Sequence, residues 1–408
     1  MDKQSKPSVI MINHYASIPR WPGPTRNFDF AASLVKQGWK VTLLGCRFNH
    51  YFRAYLPNPP KEESGVQLKW IWSTPYQGNS LFRELNILFF SCNSFWRGLW
   101  TPAQAIVAVT PPLESAFSGW LLARVKRIPF ILDVEDLWPD SIIAMGFHNQ
   151  LVIGWLRFLE RFLYRHSDHF STVAGEMREY LQKQGVPGSK ISLIPLGANL
   201  PPESSQAKRR EIRERYGWPD HKIVAVYVGA HGPANALETL IHAAKHLPED
   251  SPVQIGLFGD GSDKPRLAKV LSECKLPNIT MEEPVPPEMV PQILQAADIG
   301  IASLKDTDTF KTVRPNKLYE YMAVGLPVIC CISGEAGRFI AEIGSGIPVA
   351  PEDGPGLAAA LQKLSQDAAY RRELGKKGFD YVQTFGNRAQ LAALMGDVIE
   401  KVINENGK

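Results

Sequence analysis

Residues 223–244 read IVAVYVGAHGPANALETLIHAA. The first six are β-branched or aromatic apart from Ala225, the composition of a strand buried on both faces. Gly229 and Gly232 then interrupt the apolar run, and Leu237, Leu240, Ile241 and Ala244 return at the spacing of one helix face. A glycine-bearing turn between a buried strand and a helix is the repeating piece of a parallel α/β sheet. It also leaves backbone N–H groups at a helix start, where the dipole favours an anion such as a diphosphate and glycine lets the backbone come close. Taken singly, such a loop is as often a plain tight turn. Val253–Phe258 followed by Gly259-Asp-Gly261 repeats the logic.

Upstream, short runs of Val, Ile and Leu at 9–13, 40–45, 67–72, 105–110 and 130–134 alternate with helical patterns. Between the first two, Phe28, Ala31, Ala32 and Val35 fall at i, i+3, i+4 and i+7, and Gly38 follows as a stop, so a βαβ unit is predicted. After residues 191–196 the turn-rich stretch Gly197-Ala-Asn-Leu-Pro-Pro-Glu-Ser-Ser leads into a charged helix over 208–216, which marks a linker. Runs at 223–228, 253–258, 299–303, 328–331 and 347–350 make a second alternation. The predicted class is α/β, with two Rossmann-like domains facing a central cleft and ligands at the carboxyl ends of the strands. Their expected bounds are 1–199 and 200–385. A last segment, 386–408, carries Leu391, Leu394, Met395, Val398, Ile399 and Val402 as a stripe suited to packing back on the first domain.

A length of 408 residues is more than one core usually serves. With 45 basic residues against 41 acidic ones, the net charge of +4 gives no ground for nucleic-acid binding. The five cysteines, Cys46, Cys92, Cys274, Cys330 and Cys331, are odd in number and lack CxxC spacing, which fits a reducing compartment. The start MDKQSKPSVIMIN is too short in apolar residues for a signal peptide or spanning helix, so the expected location is the cytoplasm. Residues 81–100, LFRELNILFFSCNSFWRGLW, are aromatic-rich but too polar to span a bilayer. Residues 155–165 place Trp155, Phe158, Leu159, Phe162 and Leu163 on one helix face and Arg157, Arg161 and Arg165 on another. Burial in a core is the commoner fate of such helices. Two of them in one half keep a peripheral contact with the inner face of the cytoplasmic membrane open beside core burial.

The third chemical feature is residues 313–328, VRPNKLYEYMAVGLPV. Lys317 and Glu320 share a face near a helix start, where the carboxylate can accept bonds from a vicinal diol and the ammonium can neutralise a phosphate. As a surface ion pair the two are worth only a few tenths of a kcal/mol.

This run resembles the nucleotide-binding signature of family 4 glycosyltransferases, in which two Glu residues eight apart precede an Ala-x-Gly-x-Pro-Val segment. Glu320 matches the second Glu, which the resemblance assigns to the donor ribose. Thr312 stands in place of the first. The Pro-x-Lys-x-x-Glu-Tyr reading, Pro315 to Tyr321, is similar to the L-fucosamine transferase-like branch and makes Lys317 a phosphate or sugar contact. Gly23-Pro-Thr-Arg26, the segment 34–42, and Thr74-Pro-Tyr76-Gln-Gly78-Asn79 with Arg83 and Asn86 extend the likeness along the chain. In Asp133-Val-Glu135-Asp136, Glu135 occupies the place of a family His, which leaves Asp136 as the residue that carries over. Ala230 and Asn235 stand where relatives have a phosphate-clamping Arg and Lys, so more is left to backbone amides, His231, Lys317 and Arg314.

The resemblance implies a GT-B glycosyltransferase that moves a sugar from a nucleotide-sugar, expected to be UDP-linked, to a glycan or polyprenyl-diphosphate-linked glycan of bacterial surface polysaccharide, with retention. The donor is expected at Gly229, His231, Gly232, Gly259, Arg314, Asn316, Lys317 and Glu320. Lys317, Asp136 and Arg26 are the candidate catalytic residues, with Arg26 approaching the donor from the first domain. No cofactor or metal is expected: Asp306-Thr-Asp308 imitates a metal-binding triplet but reads as a solvated turn. Two other readings use the same fold, a nucleotide-sugar 2-epimerase and a non-catalytic nucleotide-sugar-binding scaffold.

Overall fold

The computed structural model describes residues 7–78, 81–144 and 146–406. Asn79 and the first six residues of the N-terminal start lie outside them. The chain divides into two compact units, residues 1–196 with 388–408, and residues 197–387.

The first unit is built on β1 (Ser8–Asn13), β2 (Lys40–Cys46), β3 (Glu62–Glu63), β4 (Val66–Ile71), β5 (Ala105–Thr110), β6 (Phe130–Val134), β7 (His169–Thr172) and β8 (Ile191–Leu193). They form one sheet in the order β8-β7-β6-β5-β1-β2-β4-β3, parallel except for β3 at the edge. All residues of β5 and β6 are buried, which is why their sequences are unbroken apolar runs with Asp133 as the one acid. Helix α1 (Arg26–Lys36) closes the first βαβ unit with Phe28, Phe30, Ala31 and Leu34 buried, and Gly38 at φ +92° ends it.

Three further helices, α2 (Leu81–Leu99), α3 (Leu113–Lys126) and α4 (Gln150–His166), pack side by side. In α4 Leu156, Leu159 and Leu163 are buried together with Glu160 and Tyr164, whereas Trp155 and Phe158 stay about half exposed. The predicted apolar face therefore splits, with its aliphatic part in the core and part of its aromatic edge outside. Among the described residues no helix is long and apolar enough to cross a membrane.

The second unit carries β9 (Ile223–Val228), β10 (Val253–Phe258), β11 (Ile279–Glu282), β12 (Ile299–Ser303), β13 (Val328–Cys331) and β14 (Gly346–Pro348). The sheet is parallel, in the order β11-β10-β9-β12-β13-β14. Connections leave β9 toward opposite sides, so β9 and β12 flank the switch point at which open α/β sheets take ligands. Helix α5 (Glu238–His246) covers the sheet through Leu240, Ile241 and Ala244, with Leu237 just ahead of it.

The last helix, α6 (Arg388–Asn406), belongs to the first unit. Leu391, Met395, Ile399 and Val402 are buried against the cluster that holds Ala31, Leu34 and Trp39. Gly396 permits the close approach, since a Cβ there would lie 3.0 Å from a Leu34 methyl. Arg388 fixes the helix start through bonds from Nη1 to Asp29 Oδ2 (2.5 Å) and Thr25 Oγ1 (2.9 Å).

Candidate functional site

In the second unit, β9 hands the chain to Gly229 at φ +150°, a conformation that favours glycine. A Cβ at this position would lie 3.2 Å from Lys317 Nζ and 3.4 Å from Tyr227 Oη. Lys317 comes from the first turn of α7 (Asn316–Ala323), which starts after the extended Pro315. Its ammonium lies 3.6 Å from the centroid of the Tyr227 ring. Burial there pulls the Lys317 pKa down to about 7, against the attraction of Glu320. Glu320 itself accepts a 2.5 Å bond from Asn316 Nδ2. The sequence-predicted Gly229, Lys317, Asn316 and Glu320 are thus gathered at the switch-point end of the sheet. Tyr227, the ring beneath the ammonium, is the member the sequence reading missed. The available signal was a lone hydroxyl-bearing residue in an otherwise aliphatic buried strand.

The glycines of the second loop have a different reason from the one their sequence suggests. A Cβ at Gly259 would fall 1.8 Å from the Gly229 carbonyl oxygen, and one at Gly261 2.4 Å from that of His231. Backbone bonds Gly229 N–H to Phe258 O (3.0 Å), His231 N–H to Asp260 O (2.8 Å) and Asp263 N–H to His231 O (2.9 Å) tie the two loops together. Gly259 therefore serves loop-on-loop packing. Gly232 has ordinary backbone angles, and its nearest would-be contact is Asn235 Nδ2 at 3.6 Å. The helix start is also less direct than predicted. A 3-10 turn, Pro233–Asn235, and Ala236 in the left-handed region at φ +47° precede α5.

His231 is fully buried, with neither ring nitrogen partnered among the described residues. Burial holds the imidazole below its ordinary pKa, and Lys264 and Lys317 push the same way. A neutral imidazole in this place can donate one bond and accept one. Arg314, expected at the donor, has protein partners of its own. Its guanidinium bonds Glu335, donates to Tyr319 Oη at 3.1 Å and stacks 3.8 Å over the Phe339 ring, so it fastens α8 (Glu335–Ile343) beside α7. Thr312 Oγ1, in the first-Glu position, closes a local turn on Thr309 O. Asp308 is almost fully exposed and pairs with Lys311 at 2.8 Å, as a solvated turn should. Among the described residues no group of three or more His, Cys, Asp or Glu is arranged to hold a metal.

A cavity of about 310 Å³ nearby is lined by Pro233, Ala236, Glu238, Asp263, Arg266 and Lys305 among others. Arg266 is already bound by Glu238 and Asp263, and neither Lys317 nor Glu320 reaches the lining. The chemistry is therefore assigned to the Gly229–Lys317 site.

In the first unit Arg26 is buried. It donates to Asp133 (2.5 Å), Glu135 (2.9 Å) and Ile194 O (3.0 Å) and stacks 4.4 Å over Phe30. These partners brace the guanidinium within its own unit. Asp136 stands at the carboxyl end of β6 and accepts from Leu137 N–H and Ser141 Oγ. Burial raises its carboxyl pKa against those bonds, which leaves it fit to take up a proton.

Residues 25–197 match a family described as glycosyl transferase 4-like domain, and residues 208–381 match glycosyl transferases group 1. The colanic acid biosynthesis glycosyl transferase WcaI of Escherichia coli is 25% identical over 340 residues, 78% of this chain and 82% of WcaI. The D-inositol 3-phosphate glycosyltransferase of Streptomyces bingchenggensis is 26% identical over 401 residues, 93% of this chain and 86% of that protein. Anabaena HepE, solved in complex with UDP, superposes with a TM-score of 0.74 at 13% identity, covering 97% of this chain and 100% of HepE.

Proposed function

The chain belongs to the group 1 glycosyltransferases of the GT-B fold, and from that premise we propose that it moves a sugar from a UDP-linked donor to a glycan or polyprenyl-diphosphate-linked glycan, with retention, in bacterial surface-polysaccharide synthesis. The observation that carries the reading is the Lys317 ammonium held over Tyr227 and beside Gly229. Loss of a nucleoside diphosphate places negative charge on its terminal phosphate. A preorganised cation and backbone N–H groups at that point act on the transition state more than on the ground state, an effect of about 10²–10³ in rate per strong donor. Glu320, oriented by Asn316, takes the ribose hydroxyls. Asp136, with its raised pKa, stands on the acceptor's unit as the proton-accepting group. The relationship to WcaI supports the polysaccharide setting, and the UDP complex of HepE supports the nucleotide.

A peripheral membrane contact is part of the proposal. Helices α2, α3 and α4 leave Phe89, Trp96, Leu121, Val125, Trp155 and Phe158 exposed. The exposed Asp, Glu, Lys and Arg residues on these helices are all arginines, namely Arg97, Arg124, Arg161 and Arg165. Aromatic residues amid arginines suit the headgroup region of an anionic bilayer.

The experiment is a panel of UDP-, GDP- and ADP-sugars with a polyprenyl-diphosphate-sugar acceptor, followed by nucleotide release and product mass. Acceptor-dependent release from the UDP-sugar supports the proposal. Isomerised donor without acceptor replaces it with an epimerase, and binding without turnover replaces it with a scaffold.

A further inference from the structure

The carboxyl edge of the first unit's sheet collects a second group of side chains. Tyr15 follows β1, Glu114 sits in the first turn of α3 after β5, Trp138 follows β6, and Arg83 lies in the first turn of α2. Arg83 Nη2 donates to Tyr15 Oη at 2.7 Å, and its guanidinium lies 5.9 Å from the Tyr15 ring and 5.8 Å from the Trp138 ring. The Tyr15 ring meets His50 at 5.4 Å. His50 in turn bonds Tyr76 Oη through Nδ1 at 2.5 Å and contacts the Tyr51 ring at 5.3 Å.

Among the described residues, the buried polar atoms here without a partner include His14 Nδ1 just after β1, Thr110 Oγ1 at the end of β5 and Glu114 Oε2 in the first turn of α3. His14 shares a 2.7 Å bond between Nε2 and Asn86 Oδ1, and burial lowers its pKa to about 3, so the ring is neutral with Nε2–H donating and Nδ1 left as an acceptor. Burial raises the Glu114 carboxyl to about 7. An unpartnered buried oxygen or nitrogen costs about 1–3 kcal/mol, so several along one strand edge ask for a hydroxyl-rich ligand. Flat rings beside them offer the faces on which sugar C–H groups pack, and Arg83 adds a positive charge in a planar donor array suited to an oxyacid.

We propose that this edge binds a saccharide bearing an acid group, with Arg83 facing the phosphate or carboxylate, His14 and Glu114 accepting bonds from sugar hydroxyls, and Tyr15 and Tyr51 packing on the ring. This deepens the transferase reading by giving the acceptor a chemistry, an acidic sugar or sugar phosphate.

The test uses the full chain saturated with UDP, so that the second unit cannot take the probes, titrated calorimetrically with glucose 1-phosphate, glucuronate, methyl glucoside and inorganic phosphate. The expected result is that one or both sugar acids bind at least tenfold tighter than methyl glucoside and than phosphate, and the tighter of the two says which acid the site takes. Arg83→Gln should lower that affinity to the level of the neutral glycoside, and Glu114→Gln should weaken sugar acid and neutral sugar alike. Arg83→Lys, which keeps the charge, should fall between and serves in place of Arg83→Gln if circular dichroism finds the latter unfolded. Equal affinity across the probes, or sugar-acid affinity unchanged in the arginine variants, overturns the inference. Failure of UDP itself to bind would instead overturn the transferase reading, so the two failures are distinguishable.

Discussion

The Lys317 ammonium nitrogen sits 3.6 Å from the centre of the Tyr227 ring and 3.2 Å from where a side chain at Gly229 would begin. A Cβ at 229 would crowd the ammonium by a few tenths of an ångström, and loss of the cation leaves the ring facing an anion. With a pKa near 7 the amine is about half protonated at neutral pH. A diphosphate restores its ordinary basicity, so UDP binding should take up protons between about pH 7 and 9. Calorimetry in buffers of different ionisation enthalpy measures the uptake. Lys317→Met should abolish it and lower kcat/KM by roughly 10²–10³; unchanged proton uptake in that variant would remove Lys317 from the phosphate site.

The same amine affects folding in the sense opposite to an ion-paired lysine. Its folded pKa of about 7 lies below the ordinary 10.5, so between these values the unfolded chain binds more protons and stability rises with pH. Lys317→Met should therefore raise stability at pH 7 by something on the order of 1–4 kcal/mol, with the gain vanishing toward pH 10.5. Urea unfolding at pH 7 and pH 10 checks the sign.

Gly259→Ala drives a Cβ to 1.8 Å from the Gly229 carbonyl. The expected cost exceeds about 2 kcal/mol, because backbone must move on both loops. Gly232→Ala, with ordinary backbone angles and nothing nearer than 3.6 Å, should stay within about 0.5 kcal/mol. Equal effects in denaturant titrations would contradict the loop-packing role.

Removing the Arg26 guanidinium leaves Asp133 and Glu135 without their cation. Arg26→Met should cost about 3–5 kcal/mol of first-unit stability while leaving the affinity of the second unit for UDP unchanged. A fall in UDP affinity with normal stability would return Arg26 to the donor.

Vesicles of neutral and anionic lipid test the exposed face of α2 to α4. Sedimentation with anionic vesicles should fall at least threefold in Arg161→Glu/Arg165→Glu and in Trp96→Ser/Trp155→Ser, with turnover of a water-soluble acceptor retained. Equal binding of all variants would dismiss the membrane contact.

The α/β alternation was legible wherever strands are aliphatic, as in Ile223–Val228 and Ala105–Thr110. His169–Thr172 and Ile279–Glu282 escaped the pattern because HFST and ITME carry polar residues in place of an aliphatic run, although the first is wholly buried. At the site, Lys317 and Glu320 were readable because one helix turn brings them together. The ion pairs of Arg314 and Arg26 were not readable because their partners, Glu335 and Asp133, lie 21 and 107 residues away, and charge alone does not reveal a brace. Gly259 looked like a phosphate loop because glycine is demanded equally by an approaching ligand and by an approaching carbonyl.

The return of α6 to the first unit sets an order of events during synthesis. Leu34 and Trp39 are made early, yet Leu391, Met395, Ile399 and Val402, which cover the same cluster, are made only after all of residues 197–387. The nascent first unit must wait with an apolar groove open while an entire second unit emerges and folds as an insertion within it. A chain arrested near residue 387 therefore lacks the helix that closes the first unit's core, the kind of intermediate that chaperones recognise.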